Sequence, residues 1–424
     1  MAWSAEKMKQ TPWSSPSARS CKNRRKECNF AWEQCKLGDV CEEVSGNNGN
    51  VKGLPILTIS AANGWMNQKD RFSQVIAGNE LKKYTLLEKG HLAYNHGNSK
   101  LAKYGTVFVQ NLYDQALVPR VYHSFKMKTE NNPYYVEYYF ATKKLDRELA
   151  RLVTSGARMD GLLNINKKDF FKIKFEVPTP VEQSLISTIL QKLDQIITLH
   201  EEKKQQLKCL KSALLQKMFA NKSGYPAVRF ERFSNEWEQC KLGDVANFSK
   251  GTGYSKSDLK RTGSPIILYG CLYTKYETII RNVDTFVVPK SGSVFSKGGE
   301  VIVPGSGETA EDISIASVVE PTGILLGGDL NIIYPNSDLD PTFLAITISH
   351  GKPHFDMARR AQGKSIVHLH NADLKHISLK TPNLSEQKRI SKIFEVFDQT
   401  ITLHDQKLSL LKRVKQTLLQ KMFI

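Results

Sequence analysis

The sequence has no long apolar run. Nowhere in its 424 residues does an uninterrupted apolar stretch approach the roughly 20 side chains that a membrane-spanning helix needs. Its first thirty residues are rich in Lys, Arg and Ser and lack the apolar core of a secretory signal peptide. We therefore expect a cytoplasmic protein.

Acidic residues are scarce relative to basic ones. The 42 Asp and Glu against 60 Lys and Arg leave a formal net charge of +18, while 40% of the residues are apolar. That apolar content suffices for two or three globular units and excludes a disordered or fibrous chain. An excess of positive charge attracts polyanions, and nucleic acid is the commonest reason for it; an anionic membrane surface is the weaker alternative.

Cysteine is also scarce, with seven residues in the chain. Four of them lie near the N-terminus, at positions 21, 28, 35 and 41, separated by six, six and five residues. Zinc sites usually begin with roughly two to four intervening residues. The spacing favours reduced, unligated thiols, with a metal cluster as the alternative.

Complete catalytic motifs are missing as well. Residues 131–135 (NNPYY) are similar to the Asn-Pro-Pro-Tyr loop of amino-methyltransferases, but the second proline is absent and no glycine-rich cofactor loop follows a strand. Residues 363–365 (GKS) end like a phosphate-binding loop, yet Ala358 stands where that loop requires glycine. We expect neither catalysis nor a bound metal on this chain.

What the sequence does contain is a tandem repeat. Residues 32–40 (WEQCKLGDV) recur letter for letter at 237–245, and residues 194–219 match 398–423 at 16 of 26 positions. Between these anchors, roughly 41–155 against 246–360, the halves have little in common. One scaffold therefore carries two divergent domains.

The divergent blocks mix short β-branched or aromatic runs with Gly, Asn and Pro turns and helical stretches such as residues 134–152. This mixture predicts α/β (mixed α+β) globules. The predicted order is a basic N-terminal extension (1–31), first domain (32–178), helix (179–220), linker (221–236), second domain (237–382) and second helix (383–424).

Both repeated helices carry apolar residues in steps of three and four, which is the pattern of a heptad seam. Each helix would be about 57 Å long at about 1.5 Å per residue, too long to cover its seam with one small globule. We expect the two helices to pair as an antiparallel coiled coil with an approximate two-fold axis. The predicted seam and docking residues are Ile186, Leu190, Leu193, Ile197, His200, Leu207, Leu214, Ile390, Phe394, Phe397, Ile401, His404, Leu411 and Leu418.

Polar residues interrupt the seam at equivalent positions of the two copies. His200 matches His404, and Lys211 matches Lys415. They either fix register and pairing, or lie where the seam opens towards solvent or a partner.

Three motifs, each present twice and in the same order, resemble one family. They are the Trp-Glu-x-x-Lys-Leu-Gly-Asp start, the Pro-x-x-x-Glu-Gln segments at 178–183 and 382–387, and the long helix ending Leu-Leu-Gln-Lys-Met-Phe. Together they resemble the specificity subunit of type I restriction-modification systems, over residues 32–424. The resemblance implies two target recognition domains joined by two conserved helices that form an antiparallel coiled coil.

The resemblance also implies partners and cofactors. Double-stranded DNA would be the ligand, two modification (methyltransferase) subunits would dock on the coiled coil, and restriction subunits would complete the complex. S-adenosylmethionine would bind the modification subunits, and ATP and Mg²⁺ the restriction subunits. No cofactor is expected on this chain.

DNA sequence is read by side chains at base edges, whereas phosphate contacts supply salt-dependent affinity. Polar and basic loop residues are therefore the candidate contacts, with ordinary turns or half-buried strand surface as the alternative. In the first domain they are Asn95, His96, Asn98, Lys100, Lys103 and Tyr104, with Arg120 and Arg158 secondary. In the second they are Tyr269, Lys275, Tyr276 and Lys297, with Arg359, Arg360 and Lys364 expected to face phosphates.

Two alternatives to a specificity subunit stay open at this point. A self-contained DNA-modifying enzyme would retain S-adenosylmethionine on purification, and a coiled-coil adaptor would fail to bind DNA. Residues 1–31, with seven Lys or Arg against two Glu, are either a DNA-contacting arm or a disordered start.

Overall fold

A computed structural model describes residues 32–46, 53–72, 78–97, 99–128, 130–154, 162–219, 224–363 and 365–423. The predicted extension (1–31) and the candidates Asn98, Arg158 and Lys364 lie outside these residues. The chain divides into two compact units, Met1–Ile196 with Leu411–Ile424, and Ile197–Leu410. Because the division falls inside the two long helices, each unit contains one globule and a part of both helices.

The first unit is a mixture of short strands and helices. The helix predicted over residues 134–152 is interrupted, because Lys143 takes a left-handed conformation with φ of 67°. The strands are β1 Glu33–Lys36, β2 Cys41–Glu43, β3 Leu57–Ser60, β4 Gly64–Asn67, β5 Thr85–Glu88, β6 Leu92–Asn95, β7 Thr106–Val109, β8 Gln115–Val118, β9 His123–Met127 and β10 Lys174–Val177. The helices are α1 Leu37–Val40, α2 Gln68–Arg71, a 3₁₀ helix at Gly78–Lys83, α3 Pro133–Ala141, α4 Asp146–Leu152, α5 Lys167–Phe170 and α6 Pro180–Lys217.

The central sheet of the first unit has the order β2-β9-β6-β7, with every neighbouring pair antiparallel. Three two-stranded sheets, β1-β10, β3-β4 and β5-β8, accompany it. Helix α3 covers the central sheet, and the core between them includes Tyr94, Phe125, Tyr135 and Phe170. Burial of these rings against the start of α6 supplies the hydrophobic stabilisation of the unit.

The second unit has the same mixed composition. Its strands are β11 Glu238–Lys241, β12 Ala246–Lys250, β13 Leu259–Lys260, β14 Ser264–Ile267, β15 Ile279–Ile280, β16 Phe286–Val287, β17 Glu300–Pro304, β18 Ser306–Gly307, β19 Ser317–Val319, β20 Leu325–Leu326, β21 Leu330–Pro335, β22 Val367–His368 and β23 Ser378–Thr381. Its helices are α7 Leu242–Val245, a 3₁₀ helix at Lys256–Asp258, α8 Tyr269–Thr274, α9 Pro341–His350, α10 Lys352–Arg360, α11 Asn371–Lys375 and α12 Leu384–Lys421.

The central sheet of the second unit has the order β12-β21-β17-β19-β15, in which only β15 runs parallel to its neighbour. A four-stranded sheet, β13-β16-β14-β20, and the pairs β18-β22 and β11-β23 complete the unit. The apolar helix α9 packs on the central sheet, and its Phe343 contacts a core that also contains Val301, Ile333 and Phe394.

The divergent blocks share the topology of four strands in their central sheets. Strands β2, β9, β6 and β7 of the first unit correspond in order and direction to β12, β21, β17 and β19 of the second. In both units two successive helices follow, and a short helix then leads into a strand paired with the repeated Glu-Gln-Cys-Lys segment. The repeat therefore extends through the blocks where the letters differ.

A glutamine fixes each long helix to its globule in the same way. The Oε1 atom of Gln183 accepts the backbone N–H of Asn132 at 3.0 Å, and that of Gln387 accepts the backbone N–H of Asp340 at 2.8 Å. Asn132 and Asp340 are the N-caps of α3 and α9. The repeated Glu-Gln pair of the sequence thus joins the long helix to the first helix of its globule.

Helices α6 and α12 are antiparallel in the second unit. Lys204 pairs with Asp405, and Lys211, further along α6, pairs with Asp398, earlier in α12. Leu214 packs against the cluster that contains Ile390 and Phe394. No helix within the described ranges is long and apolar enough to cross a membrane.

The predicted seam residues differ in burial along the helices. Those near the start of each helix are buried, whereas those further along the helix are half-buried. The buried seam residues are Ile186, Leu190, Leu193, Ile197, Ile390 and Phe394; the half-buried ones are His200, Leu207, Leu214, Phe397, Ile401, His404, Leu411 and Leu418.

The segment predicted as a linker packs against the start of α12. Arg229 donates two hydrogen bonds of 2.8 Å to the carboxylate of Glu386. The Glu386 side chain is almost fully buried, so its charge depends on this bidentate pairing. The ring of Phe233 lies under the guanidinium of Arg389. Residues 224–236 are therefore an ordered part of the second unit.

Candidate nucleic-acid interface

The common topology brings two polar connections together at the same place in each unit. In the first unit they are the described parts of the β6–β7 loop (residues 96–97 and 99–105) and of the α4–α5 connection (residues 153–154 and 162–166). In the second they are the β17–β19 loop (residues 305–316) and the described parts of the α10–α11 connection (residues 361–363 and 365–370). Connections of variable sequence on a repeated scaffold are the usual carriers of recognition.

Backbone contacts join the two connections of the first unit. Leu163 donates its N–H to His96 O at 3.0 Å, and Gly97 forms an antiparallel bridge with Leu162. Thr154 donates its N–H to Asn164 O at 2.9 Å, which closes the base of the α4–α5 connection. The β6–β7 loop is held at its far end, where the Tyr94 hydroxyl donates to Tyr104 O at 2.6 Å.

The structure leaves three of the first-domain candidates at the surface of this loop. Lys100 and Lys103 are exposed, and the Lys103 ammonium lies 5.3 Å from the centre of the half-buried Tyr104 ring. Arg120 is also exposed, but it follows β8 in a turn outside the two connections. Lys100, Lys103 and Tyr104 are thus brought together, and Arg120 is not.

Two first-domain candidates were assigned wrongly. His96 is only 2% exposed, and its ring centre lies 4.0 Å from that of His123. Asn95 uses both atoms of its amide inside the protein, donating to Ile59 O at 3.1 Å and accepting from Gly97 N at 3.1 Å. These side chains hold the base of the loop and do not face a ligand. Sequence alone could not show that strand β6 continues through Asn95, which places both residues at the base of the loop.

A second buried histidine lies beneath the α4–α5 connection. His123 is 5% exposed, and its Nε2 lies 3.2 Å from the carbonyl oxygen of Ile165. Burial, followed by the neighbouring His96, lowers the pKa of His123 to about 3. The ring is therefore neutral at physiological pH, and since a carbonyl only accepts, the proton is on Nε2.

The connections of the second unit meet through similar contacts. Leu369 donates its N–H to Gly305 O at 3.0 Å, and Ser306 and Gly307 pair with His368 and Val367. A turn closes the α10–α11 connection at Gly363, whose φ is 138° and where a Cβ would lie 1.9 Å from Ile366 O. Only glycine fits this turn.

The structure disperses the second-domain candidates. Arg359 and Arg360 are exposed at the end of α10, where the α10–α11 connection begins. Tyr269 opens helix α8, which was expected to be strand or loop, and exposed Lys275 follows that helix near Glu277 and Asp284. Exposed Lys297 precedes β17, at the opposite end of that strand from the β17–β19 loop. Among the second-domain candidates that the structure describes, only the two arginines adjoin the paired connections.

Tyr276 was also assigned wrongly. Its hydroxyl is buried, and its ring stands edge-on to that of His350 with 6.1 Å between the centres. The neighbouring Tyr273 occupies a better position, because it lies beside the β17–β19 loop: a Cβ on Gly307 would be 3.8 Å from its ring. The sequence contained the right aromatic segment but could not show which ring faces the loop.

Other exposed side chains at the connections escaped sequence analysis. In the second unit Glu308 and Thr309 are exposed in the β17–β19 loop, and Phe355 and Ile366 are 62% and 56% exposed beside the arginines. In the first unit Leu101 is 64% exposed between the two lysines. Apolar side chains at such positions can contact thymine methyl groups, and carboxylates can accept from cytosine.

The two helices carry a matched pair of ion pairs. In the second unit Lys211 pairs with Asp398, which also accepts a hydrogen bond from Thr278 at 3.2 Å. In the first unit Lys415 lies 2.5 Å from Asp194, which also accepts from the Tyr138 hydroxyl at 2.8 Å. Each aspartate therefore joins both helices to a globule, and the residues are equivalent under the shift of 204 in the sequence repeat.

A second apolar stripe lies beside the seam, because each of its residues directly precedes a seam position and is turned about 100° from it. Its residues are 41–61% exposed and recur in heptad-like steps on both helices. Apolar side chains exposed in such a row are typical of an interaction surface. They are Leu185, Ile189, Ile196, Leu199 and Leu210 on α6, and Val396, Leu403, Leu410 and Val414 on α12.

Cys35 and Cys41, the two described cysteines of the N-terminal group, are free thiols. Burial raises the pKa of Cys35 to about 11, and the carboxylates of Asp39 and Glu33 add to that rise. Burial also raises the pKa of Cys41 to about 12, with the Cys35 thiol adding to the rise. Neither thiol ionises readily, and thiolate is the form that binds metal. Within the described part of the chain no group of three or more His, Cys, Asp or Glu is placed to hold a metal ion. Cys21 and Cys28 lie outside that part.

Comparisons with known proteins agree with the repeat. A family model for the type I restriction modification DNA specificity domain matches the chain twice, over residues 29–209 and 234–413. The type I restriction enzyme MjaVIII specificity subunit of Methanocaldococcus jannaschii is 20% identical over 297 residues, 66% of this chain and 68% of that relative. The crystal structure of a type I restriction-modification system S subunit from M. genitalium is similar in fold, with a TM-score of 0.58, 14% identity, and coverage of 94% of this chain and 97% of that one.

Proposed function

The chain belongs to the type I restriction-modification DNA specificity family, and on that premise we propose that each half reads one segment of a bipartite, asymmetric DNA target. In the first half the contacts come from the β6–β7 loop and the α4–α5 connection, with Lys100, Lys103 and Tyr104 exposed or half-exposed there. In the second half they come from the β17–β19 loop and the α10–α11 connection, with Arg359 and Arg360 beside them.

One observation carries this proposal: the same topology holds different side chains at the same two connections. The β6–β7 loop is basic, with Lys100 and Lys103, whereas the β17–β19 loop exposes Glu308 and Glu311. Cationic and acidic side chains recognise different base edges, since arginine and lysine pair with guanine and carboxylates accept from cytosine. Two halves built alike but lined differently are suited to two different half-sites.

We further propose that the exposed apolar stripe of α6 and α12 docks the modification subunits. Residues such as Leu199 and Leu403 are 55% and 48% exposed on helices whose seams are already occupied by each other. Covering each such leucine would contribute about 1 to 2 kcal/mol. Two positions of the stripe are apolar and exposed in both copies of the repeat, Leu199 with Leu403 and Leu210 with Val414, so two modification subunits can bind there in the same manner. Restriction subunits would join this complex.

The chemistry is proposed to reside in those partners. We propose that this chain binds no S-adenosylmethionine, ATP or Mg²⁺ and that it acts by positioning DNA for the subunits that do. The purified chain alone should then neither methylate nor cleave DNA, and turnover by it would contradict the proposal. A cytoplasmic location stays a prediction.

Selection of DNA from a random library tests the proposed reading. The chain is purified with its modification subunits, bound duplexes are recovered and sequenced, and a preparation of the modification subunits alone serves as the control. We expect two short fixed segments separated by unselected base pairs, seen only when this chain is present. A single contiguous motif, or no motif, would refute the proposal.

A further inference from the structure

Two different buried polar residues occupy one equivalent position in the central sheets. Cys41 at the start of β2 pairs with Met127 of β9, and Ala246 at the start of β12 pairs with Pro335 of β21. His123 lies four residues before Met127 on β9, and Asn331 lies four residues before Pro335 on β21, so the two residues occupy equivalent positions. Each lies on the second strand of its sheet, at the end next to the paired connections.

The two side chains donate hydrogen bonds to backbone carbonyl oxygens at equivalent positions of the two units. His123 Nε2 donates to Ile165 O at 3.2 Å, and Asn331 Nδ2 donates to Leu369 O at 2.9 Å. Ile165 and Leu369 are related by the shift of 204 that relates the scaffold repeats, because Asn166 and His370, the next residues, are the N-caps of α5 and α11. The acceptor has been kept while the donor has changed its chemical type.

The surroundings of these donors make the contact costly to lose. His123 is 5% exposed, and Asn331 is fully buried. Without a donor, the carbonyl of Ile165 or Leu369 would be buried with its hydrogen bond unmade, at the cost of desolvation. The connection would then move to let that carbonyl reach water. The hydrogen bond thus holds the end of each connection against the central sheet, directly before the short helix α5 or α11 begins.

We propose that His123 and Asn331 are positioning residues for DNA reading: each holds its own recognition connection, and neither touches DNA. This inference rests on the proposed function of the connections. It gives a reason for a hydrogen-bond donor at this buried position of both sheets, since an apolar side chain would pack as well but would leave the carbonyl oxygen of Ile165 or Leu369 without its hydrogen bond. Each residue serves one half-site, so its loss relaxes that half-site alone.

The test uses near-isosteric variants in the complete complex. Asn331→Leu and His123→Phe remove the donor and keep the volume, while Asn331→Gln and His123→Gln keep an amide donor that can restore the bond. Ser317→Ala and Ser124→Ala are matched controls, because both hydroxyls are buried in the same sheets and make no hydrogen bond. Each complex is used to select DNA from a random library, and its melting temperature is recorded.

With Asn331→Leu we expect discrimination at the second half-site to fall about tenfold while the first half-site stays unchanged, which is the effect of one buried hydrogen bond. His123→Phe should do the reverse. The glutamine variants should recover part of the discrimination, and the serine variants should select the unaltered target.

Three results would overturn the inference. The first is that Asn331→Leu and His123→Phe both select the same DNA as the unaltered chain. The second is that either variant loses discrimination equally at both half-sites. The third is that the serine controls also lose discrimination, in proportion to the fall in melting temperature. If one of the two donor-less variants does not fold, the donor-less variant of the other half and the two glutamine variants still test the inference. A complex of the unaltered chain that selects no bipartite sequence would instead contradict the proposed function itself.

Discussion

His200 on α6 and His404 on α12 meet with their Nδ1 atoms 2.9 Å apart. The two residues are equivalent in the sequence repeat, so each copy supplies one half of the contact. One ring must donate and the other accept, which requires at least one of them to be neutral. The sequence left open whether these histidines fix pairing or face solvent, and the geometry favours pairing.

A double-mutant cycle tests this histidine contact. His200→Leu alone should lower stability by about 1 kcal/mol, because His404 loses its partner in the seam. His200→Leu with His404→Leu should recover that loss, since two leucines extend the apolar seam. Thermal unfolding of the four proteins measures the coupling. Additive losses would show that the two rings act independently.

The ion pair between Lys211 and Asp398 can be tested by exchanging its charges. Asp398→Lys places two cations at the helix contact and should destabilise the second unit by about 1 to 3 kcal/mol. Adding Lys211→Asp to it should restore part of the loss by reversing the pair. Denaturant unfolding is the measurement. No recovery in the double variant would mean that the hydrogen bond from Thr278, and not the ion pair, determines the role of Asp398.

Substitutions on the two faces of the long helices should have different effects. Leu193 is 9% exposed, so Leu193→Glu buries a charge and should cost several kcal/mol, with both half-sites lost together. Leu411→Glu, at a half-buried seam position, should act in the same direction. Leu199 is 55% exposed, so Leu199→Glu should leave the melting temperature unchanged but abolish binding of the modification subunit.

Size-exclusion chromatography and adenine methylation mapping distinguish these cases. Loss of one half-site only, for any of the three leucine variants, would show that a helix serves its own globule alone. Retention of the modification subunit by Leu199→Glu would show that the exposed stripe is not the docking surface.

Acid should destabilise the first unit through His123. Its pKa of about 3 in the folded state lies below the usual 6.5, so between these values only the unfolded chain binds the proton. Stability should fall as pH decreases below 6.5, by about 1.4 kcal/mol for each pH unit from this residue. His123→Phe should remove this part of the slope. An unchanged pH slope of unfolding in that variant would contradict the assignment.

Sequence alone predicted the elements whose signals are local. The heptad steps and the repeated letters placed the long helices, which run from Pro180 to Lys217 and from Leu384 to Lys421. The family resemblance is confirmed by the family match. The mixed α/β class was also read correctly, because short β-branched runs between turns are a local pattern.

What sequence could not predict are contacts between distant segments. No letter of the sequence relates His96 to Gly305, yet each follows the third strand of its central sheet and accepts an N–H from the later connection. His96 was taken for a ligand contact because burial depends on strand pairing, which the loop's composition does not encode. Tyr273 was overlooked in favour of its neighbours for the same reason, since helix α8 turns only some of its rings towards the β17–β19 loop.

The structure also changes where the two recognition domains should be exchanged. A junction at residues 155 and 360, the limits of the divergent letters, would separate His123 from Ile165 and Asn331 from Leu369. Junctions after Ile165 and Leu369 keep each donor with its acceptor. The exchange should therefore replace residues 41–165 with residues 246–369.

Mapping methylated adenines for that exchanged chain, expressed with its modification subunits, tests modular reading most directly. Both halves then carry the second recognition domain. The sequence repeat predicts an approximate two-fold axis, under which the two domains would read opposite strands. We predict that the asymmetric target becomes an inverted repeat of the second half-site. A direct repeat, or the original asymmetric target, would contradict the account.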